Sequence, residues 1–78
     1  MMLEILSPEE TLFRGEVERV TLPGAMGQFE VLPHHAPLIS SLAKGQVSYL
    51  PKGKAEESVP VERGFVEVKQ DVVSVCIG

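Results

Sequence analysis

Six prolines and seven glycines divide the 78 residues into short pieces, and no other feature limits the fold as much. A proline inside a helix removes a hydrogen bond and collides with the preceding turn. Pro23, Pro33, Pro51 and Pro60 stand where any long helix would have to pass. The longest helical candidate, residues 36–43, is interrupted by Pro37 and bounded by Gly45. Between the breaks lie short runs rich in Val, Ile, Leu and Thr, which suit strands. This spacing predicts strands over residues 3–7, 11–16, 17–22, 28–32, 38–42, 47–50, 58–62, 64–69 and 72–77. The fold expected is all-β: a small two-sheet β-sandwich or flattened barrel of about nine or ten short strands.

The C-terminal pair shows the clearest phase. Strand side chains alternate between faces, so Val73, Val75 and Ile77 share one face, and Val72, Ser74 and Cys76 the other. The first set is expected to face the core. In the preceding run Val66 and Val68 lie on one face, with Phe65 and Glu67 opposite. Gln70-Asp71 reads as the short polar hairpin connection between the two runs.

A chain of this length holds one domain, residues 1–78, and buries only about 60% of the surface its unfolded form exposes. A permanent partner would help to stabilise so thin a core. The net charge is −4, and the seven lysines and arginines are scattered singly. No cluster could track a phosphate backbone, which argues against nucleic acid. The single cysteine, Cys76, cannot form an internal disulfide, so nothing marks a secreted protein. The first ten residues have neither a basic start nor a long apolar run, and no stretch approaches the ~20 apolar residues of a membrane helix. A cytoplasmic protein without direct membrane insertion is expected, any membrane association coming through a partner.

Catalytic and cofactor chemistry finds little footing. His34 and His35 are neighbours in extended chain and point to opposite faces, so they should not share a metal. The chain also lacks further ligands at zinc spacing. Cys76 lies in an apolar strand, where a buried thiol is usually inert. Asp71, the only aspartate, belongs to a turn, and no serine sits in a Gly-x-Ser-x-Gly setting. Gly53-Lys54 leads into Ala55 rather than completing a phosphate loop. Gly24-Ala25-Met26-Gly27 has Gly-x-x-Gly spacing without basic neighbours and reads as a turn. Glu9-Glu10 and Glu56-Glu57 read as solvated surface. A non-catalytic protein without cofactor or metal is expected.

The segment Pro23-Gly24-Ala25-Met26-Gly27-Gln28-Phe29-Glu30-Val31-Leu32-Pro33-His34-His35-Ala36-Pro37-Leu38 closely resembles the signature of the epsilon subunit of rotary ATP synthases. Around it, in family order, stand Leu3-Glu4-Ile5-Leu6-Ser7-Pro8, Gly15-Glu16-Val17-Glu18 and Arg63-Gly64-Phe65-Val66-Glu67-Val68. The last is similar to the family's Gly-Gly-Phe-Leu-Glu-Val strand. The likeness runs from about residue 2 to residue 77 and identifies the chain as the family's β-sandwich domain. It implies a non-catalytic rotor part of the central stalk, on the cytoplasmic face of the bacterial inner membrane. Its partners would be the gamma subunit and the polar loops of the c-ring, and it would couple ion-driven rotation of the ring to ATP synthesis. Matching positions make Ser7, Gln28, Glu30 and His35 the candidate contacts with ring or gamma. The plainer readings are a turn former before Pro8, a solvated side chain, a strand-edge charge and, for the histidine pair, one packed in the turn and the other at the surface. The rival to the whole reading is a generic β-sandwich interaction module that adds a partner strand at an exposed edge.

The chain departs from the family pattern at four places. His34 replaces the usual glycine before the matching histidine, so it must tolerate positive φ or the turn must shift. Glu30 stands where a glycine is common, Gln28 where relatives often carry an acid, and Arg63 in place of a glycine. Many relatives continue into a C-terminal helical hairpin that inhibits hydrolysis or binds ATP. Neither property is expected of residues 1–78.

Overall fold

The computed structural model describes all 78 residues and contains eight strands and no helix. They are β1 (Met2–Leu6), β2 (Thr11–Gly24), β3 (Gly27–Val31), β4 (Leu38–Leu42), β5 (Gly45–Pro51), β6 (Glu57–Val61), β7 (Gly64–Lys69) and β8 (Val72–Ile77). The all-β class expected from the sequence holds, with one strand fewer than the nine runs predicted. The difference lies at residues 11–24, where two expected strands form the single long β2.

Glu18 explains that fusion. In the β2–β5 ladder Val17 faces Pro51 and Arg19 faces Leu50, so Glu18 is an extra residue on β2, a β-bulge. Before the bulge the inward positions are Phe13, Gly15 and Val17; after it they are Val20, Leu22 and Gly24. The extra residue flips the parity, so both halves of a bending strand keep their apolar side toward the core. A second irregularity, between Ile5 and Leu6 of β1, leaves Leu12 unpaired on β2 and exposed.

Because β2 bends, it belongs to both layers. Its first half pairs with β1, which continues through β8 and β7 to β4. Its second half pairs with β3 on one side and with β5, then β6, on the other. The Gly24–Leu42 pair brings β4 back onto β2. The result is the flattened two-layer sandwich. β1 and β8 run parallel in its first layer, Leu3 opposite Val73 and Ile5 opposite Val75.

The core is the product of alternation. Leu3, Ile5, Val66, Val68, Val73 and Val75 enter it from one layer; Val20, Leu22, Val31, Val47, Tyr49 and Val61 from the other. Ile77 is half-buried and packs against the same cluster, as the C-terminal phase predicts. Phe13 of β2 leans on Tyr49 of β5, ring centroids 4.5 Å apart and tilted by 44°. No buried side-chain polar atom lacks a partner. Of 46 backbone hydrogen bonds, 37 belong to the strand ladders, so the stiffness lies in the sheets rather than the loops.

Candidate partner interface

The two residues between β7 and β8 set up one end of the molecule. Lys69 pairs with Val72, and the connection Gln70-Asp71 has positive φ at both positions, 52° and 62°. That is the pattern of a two-residue type I′ turn, whose twist matches its strands. It brings the Asp71 carboxylate beside the 32–37 loop joining β3 to β4. Asp71 Oδ1 accepts the His34 backbone N–H at 2.9 Å, and Oδ2 lies 3.5 Å from the Met1 ammonium. The same ammonium donates to Glu16 Oε2 at 2.8 Å, and the Lys52 N–H donates to the Glu16 carbonyl at 3.1 Å. A hairpin tip, the chain start, the β2 bulge region and the signature loop are thereby tied together.

These contacts bias the protonation of their members. The N–H of His34, with help from the ammonium, holds the Asp71 carboxyl below its ordinary 3.8. The ammonium's hydrogen bond and charge hold Glu16 below 4.5, and the Glu16 bond raises the ammonium above 8.0. The carboxylates stabilise the fold above their ordinary values, a gain lost as pH falls through the depressed ones. The ammonium stabilises it below 8.0, a gain lost as pH rises past its raised value. The melting temperature is therefore expected to be flat between roughly pH 5 and 8 and to fall on both sides. A Glu16→Gln, Asp71→Asn double variant should show shallower limbs. Limbs as steep as in the parent chain would contradict this assignment.

His34 settles the question its substitution raised: it takes φ 66°, so the turn keeps the geometry of a glycine. The left-handed region costs a non-glycine residue about 1–2 kcal/mol, while glycine's looser unfolded state takes back about 0.4–1. His34→Gly should therefore stabilise the domain by about 0.5–1 kcal/mol in urea titration. A clear loss of stability would mean that the imidazole packs in a way that outweighs the strain. His35 is half-buried, and its Nδ1–H donates to the Ala36 carbonyl at 2.7 Å, which fixes the tautomer.

The other candidates lie elsewhere. Gln28 and Glu30 share the exposed face of β3, opposite Pro23 and Thr21, while Phe29 and Val31 turn inward. Ser7 follows the far end of β1, where its hydroxyl and its backbone N–H close the turn: Ser7 Oγ donates to the Glu10 carbonyl and accepts the Glu10 N–H, at 3.1 and 3.2 Å, and the Ser7 N–H donates to the same carbonyl at 2.9 Å. The opposite end of β1, at Met2, is the one beside Val72 and the Asp71 node. Ser7 and His35 therefore mark different ends of the first layer.

Sequence reasoning missed two features. One is the Asp71–His34 link, made between residues distant in the chain. The other is an apolar outer surface on the first layer: Phe65 and Ile39 are 51% and 74% exposed, and Met26 on the neighbouring hairpin tip is fully so. The signal for the outer pair was phase, since each lies on the face of its strand opposite the core residues. Phe65 also borders an open cleft of about 580 Å³ with Pro8, Leu42, Arg63, Cys76 and Ile77. The cleft gathers one charged side chain and no acid–base pair. No group of three or more His, Cys, Asp or Glu is placed to hold a metal.

Against this geometry, the model of the ATP synthase delta/epsilon chain, β-sandwich domain, matches residues 1–77. The chain belongs to that family. It is 42% identical over 73 residues to the ATP synthase epsilon chain of Leptospira borgpetersenii, a match covering 94% of this chain and 57% of the relative. The epsilon chain of Desulfitobacterium hafniense is also 42% identical over 73 residues, covering 94% and 54%. That of Rhodospirillum rubrum is 43% identical over 68, covering 87% and 51%. This delta/epsilon β-sandwich thus spans little more than half the length of these relatives. Its fold matches a chain of the Euglena gracilis mitochondrial ATP synthase with a TM-score of 0.89 at 23% identity, over 96% of this chain and 48% of that one. A chain from the Tetrahymena thermophila central stalk and c-ring structure gives 0.81 at 12%, over 97% and 61%. At such identities these two likenesses speak for the sandwich alone.

Proposed function

We propose that this delta/epsilon β-sandwich is a non-catalytic central-stalk part of an ATP synthase, held peripherally at the cytoplasmic face of a bacterial inner membrane. It would grip gamma on one side and the polar loops of the c-ring below, so that ring and shaft turn as one body. The observation that carries the reading is the family match across residues 1–77. The architecture suits the task. A coupling part must not yield under torque, and close-packed layers joined by strand ladders resist deformation.

Gln28 and Glu30, exposed side by side on β3, and His35 in the following loop are the contacts we assign to this role, with Ser7 a separate contact at the other end of β1. A rim charge such as that of Glu30 sets specificity and association rate more than affinity. Gln28→Lys should weaken binding to the c-ring while leaving the melting curve unchanged, because the side chain points to solvent. Pull-down of purified ring by the parent and variant chains tests it. Equal capture by both would remove Gln28 from the interface.

A further inference from the structure

Three non-glycine residues have positive φ: His34, Gln70 and Asp71. All three lie in the two segments that one hydrogen bond joins, from the His34 N–H to Asp71 Oδ1. Unfavourable backbone states persist only where the surroundings over-determine them, and they gather where a precise surface is needed. The hairpin tip could have been relieved with Asn-Gly, the pair such turns favour. It carries Gln-Asp instead, and glycine at the second position would have no carboxylate to offer.

We propose that Asp71 is a positioning residue for the partner-facing loop. Its carboxylate holds the His34 N–H, keeps that residue left-handed, and so fixes the direction in which His35 and Ala36 leave the sandwich. The inference rests on the proposed function for the part that calls the loop partner-facing; the clamp itself rests on the geometry. The titratable groups around the carboxylate are the Met1 ammonium at 3.5 Å, the His34 imidazole, and Glu16 across the ammonium, with Lys52 beyond it. Removing Asp71 leaves the ammonium with Glu16 at 2.8 Å, so the chain start keeps a partner.

Two variants separate positioning from mere support. Asp71→Gly removes the acceptor and suits the turn, so the hairpin should survive. Asp71→Asn keeps an oxygen at the Oδ1 position. In the ¹⁵N-labelled chain, the His34 amide should exchange about tenfold faster in Asp71→Gly than in the parent, as expected on losing a hydrogen bond to a charged acceptor. The amides of β7 and β8 should be unchanged, and Asp71→Asn should restore the protection. Affinity for gamma and ring together should fall by about tenfold in Asp71→Gly and recover in Asp71→Asn. A His34 amide as protected in Asp71→Gly as in the parent overturns the clamp. A released loop with unaltered partner affinity overturns its role in presentation. A parent chain that binds neither partner overturns the functional reading and the presentation with it, while the exchange measurement still decides the clamp.

Discussion

Leu3→Ala should destabilise the domain by about 2–5 kcal/mol, the range for removing a fully buried leucine. A domain of this size has on the order of 4–12 kcal/mol in total, so much of the stability rests on that one side chain. Leu3 is fully buried in a strand of five residues that joins two neighbours, with Val73 opposite on β8 and Gly15 opposite on β2. Gly15 has no side chain to move into the space, and the Phe13 ring already lies 3.1 Å from where a Cβ would stand. The cavity therefore has few ways to collapse. The melting temperature should fall by about 10–30 °C. Leu12, exposed at the unpaired position of β2, provides the control: Leu12→Ala should change stability by no more than about 0.5 kcal/mol. Similar losses in both would mean that β1 is not central to the core.

Gly64→Ala is the second large effect. Gly64 opens β7 at φ 158°, paired with Leu42 on one side and Ile77 on the other. A Cβ there would overlap the Cys76 carbonyl oxygen and stand 3.1 Å from Ile77 Cα. Both obstacles are backbone, so no rotamer change relieves them. Overpacking of this kind costs about 1–3 kcal/mol and backbone strain a similar amount, giving a loss of about 3 kcal/mol or more. The β7–β8 and β4–β7 ladders should open first from this end, visible as faster amide exchange near Phe65 and Cys76. Gly53→Ala separates crowding from strain, since Gly53 also has positive φ, 73°, but open space around it. It should cost only about 0.5–1 kcal/mol, the left-handed penalty less glycine's unfolded-state term, measured by urea titration beside Gly64→Ala. Equal losses at the two sites would show that crowding at Gly64 is absorbed.

These sites also show what a sequence can and cannot announce. Val66, Val68, Val73 and Val75 lie inside because alternation is local, and the runs that carry it are unambiguous. The turn at Gln70-Asp71 was readable for the same reason. The long β2 was not, because Glu18 breaks the alternation, and a phase break looks like the end of a strand. Only the partner strand β5 shows that the chain continues through it. For the interface, the order of glycines, prolines and His35 pointed to the family and so to Gln28 and Glu30, whose shared exposed face on β3 is a finding of the structure. The separation of Ser7 from His35 could not be seen, since it depends on which end of β1 meets the β7–β8 hairpin. Nor could the Asp71–His34 bond, which joins residues 37 positions apart.

Co-expression of the chain with the gamma subunit of the same genome, followed by size-exclusion chromatography, tests the central claim most directly. The account predicts a stable one-to-one complex at micromolar concentration. Two folded proteins that elute separately would contradict it and favour an interaction module with another partner.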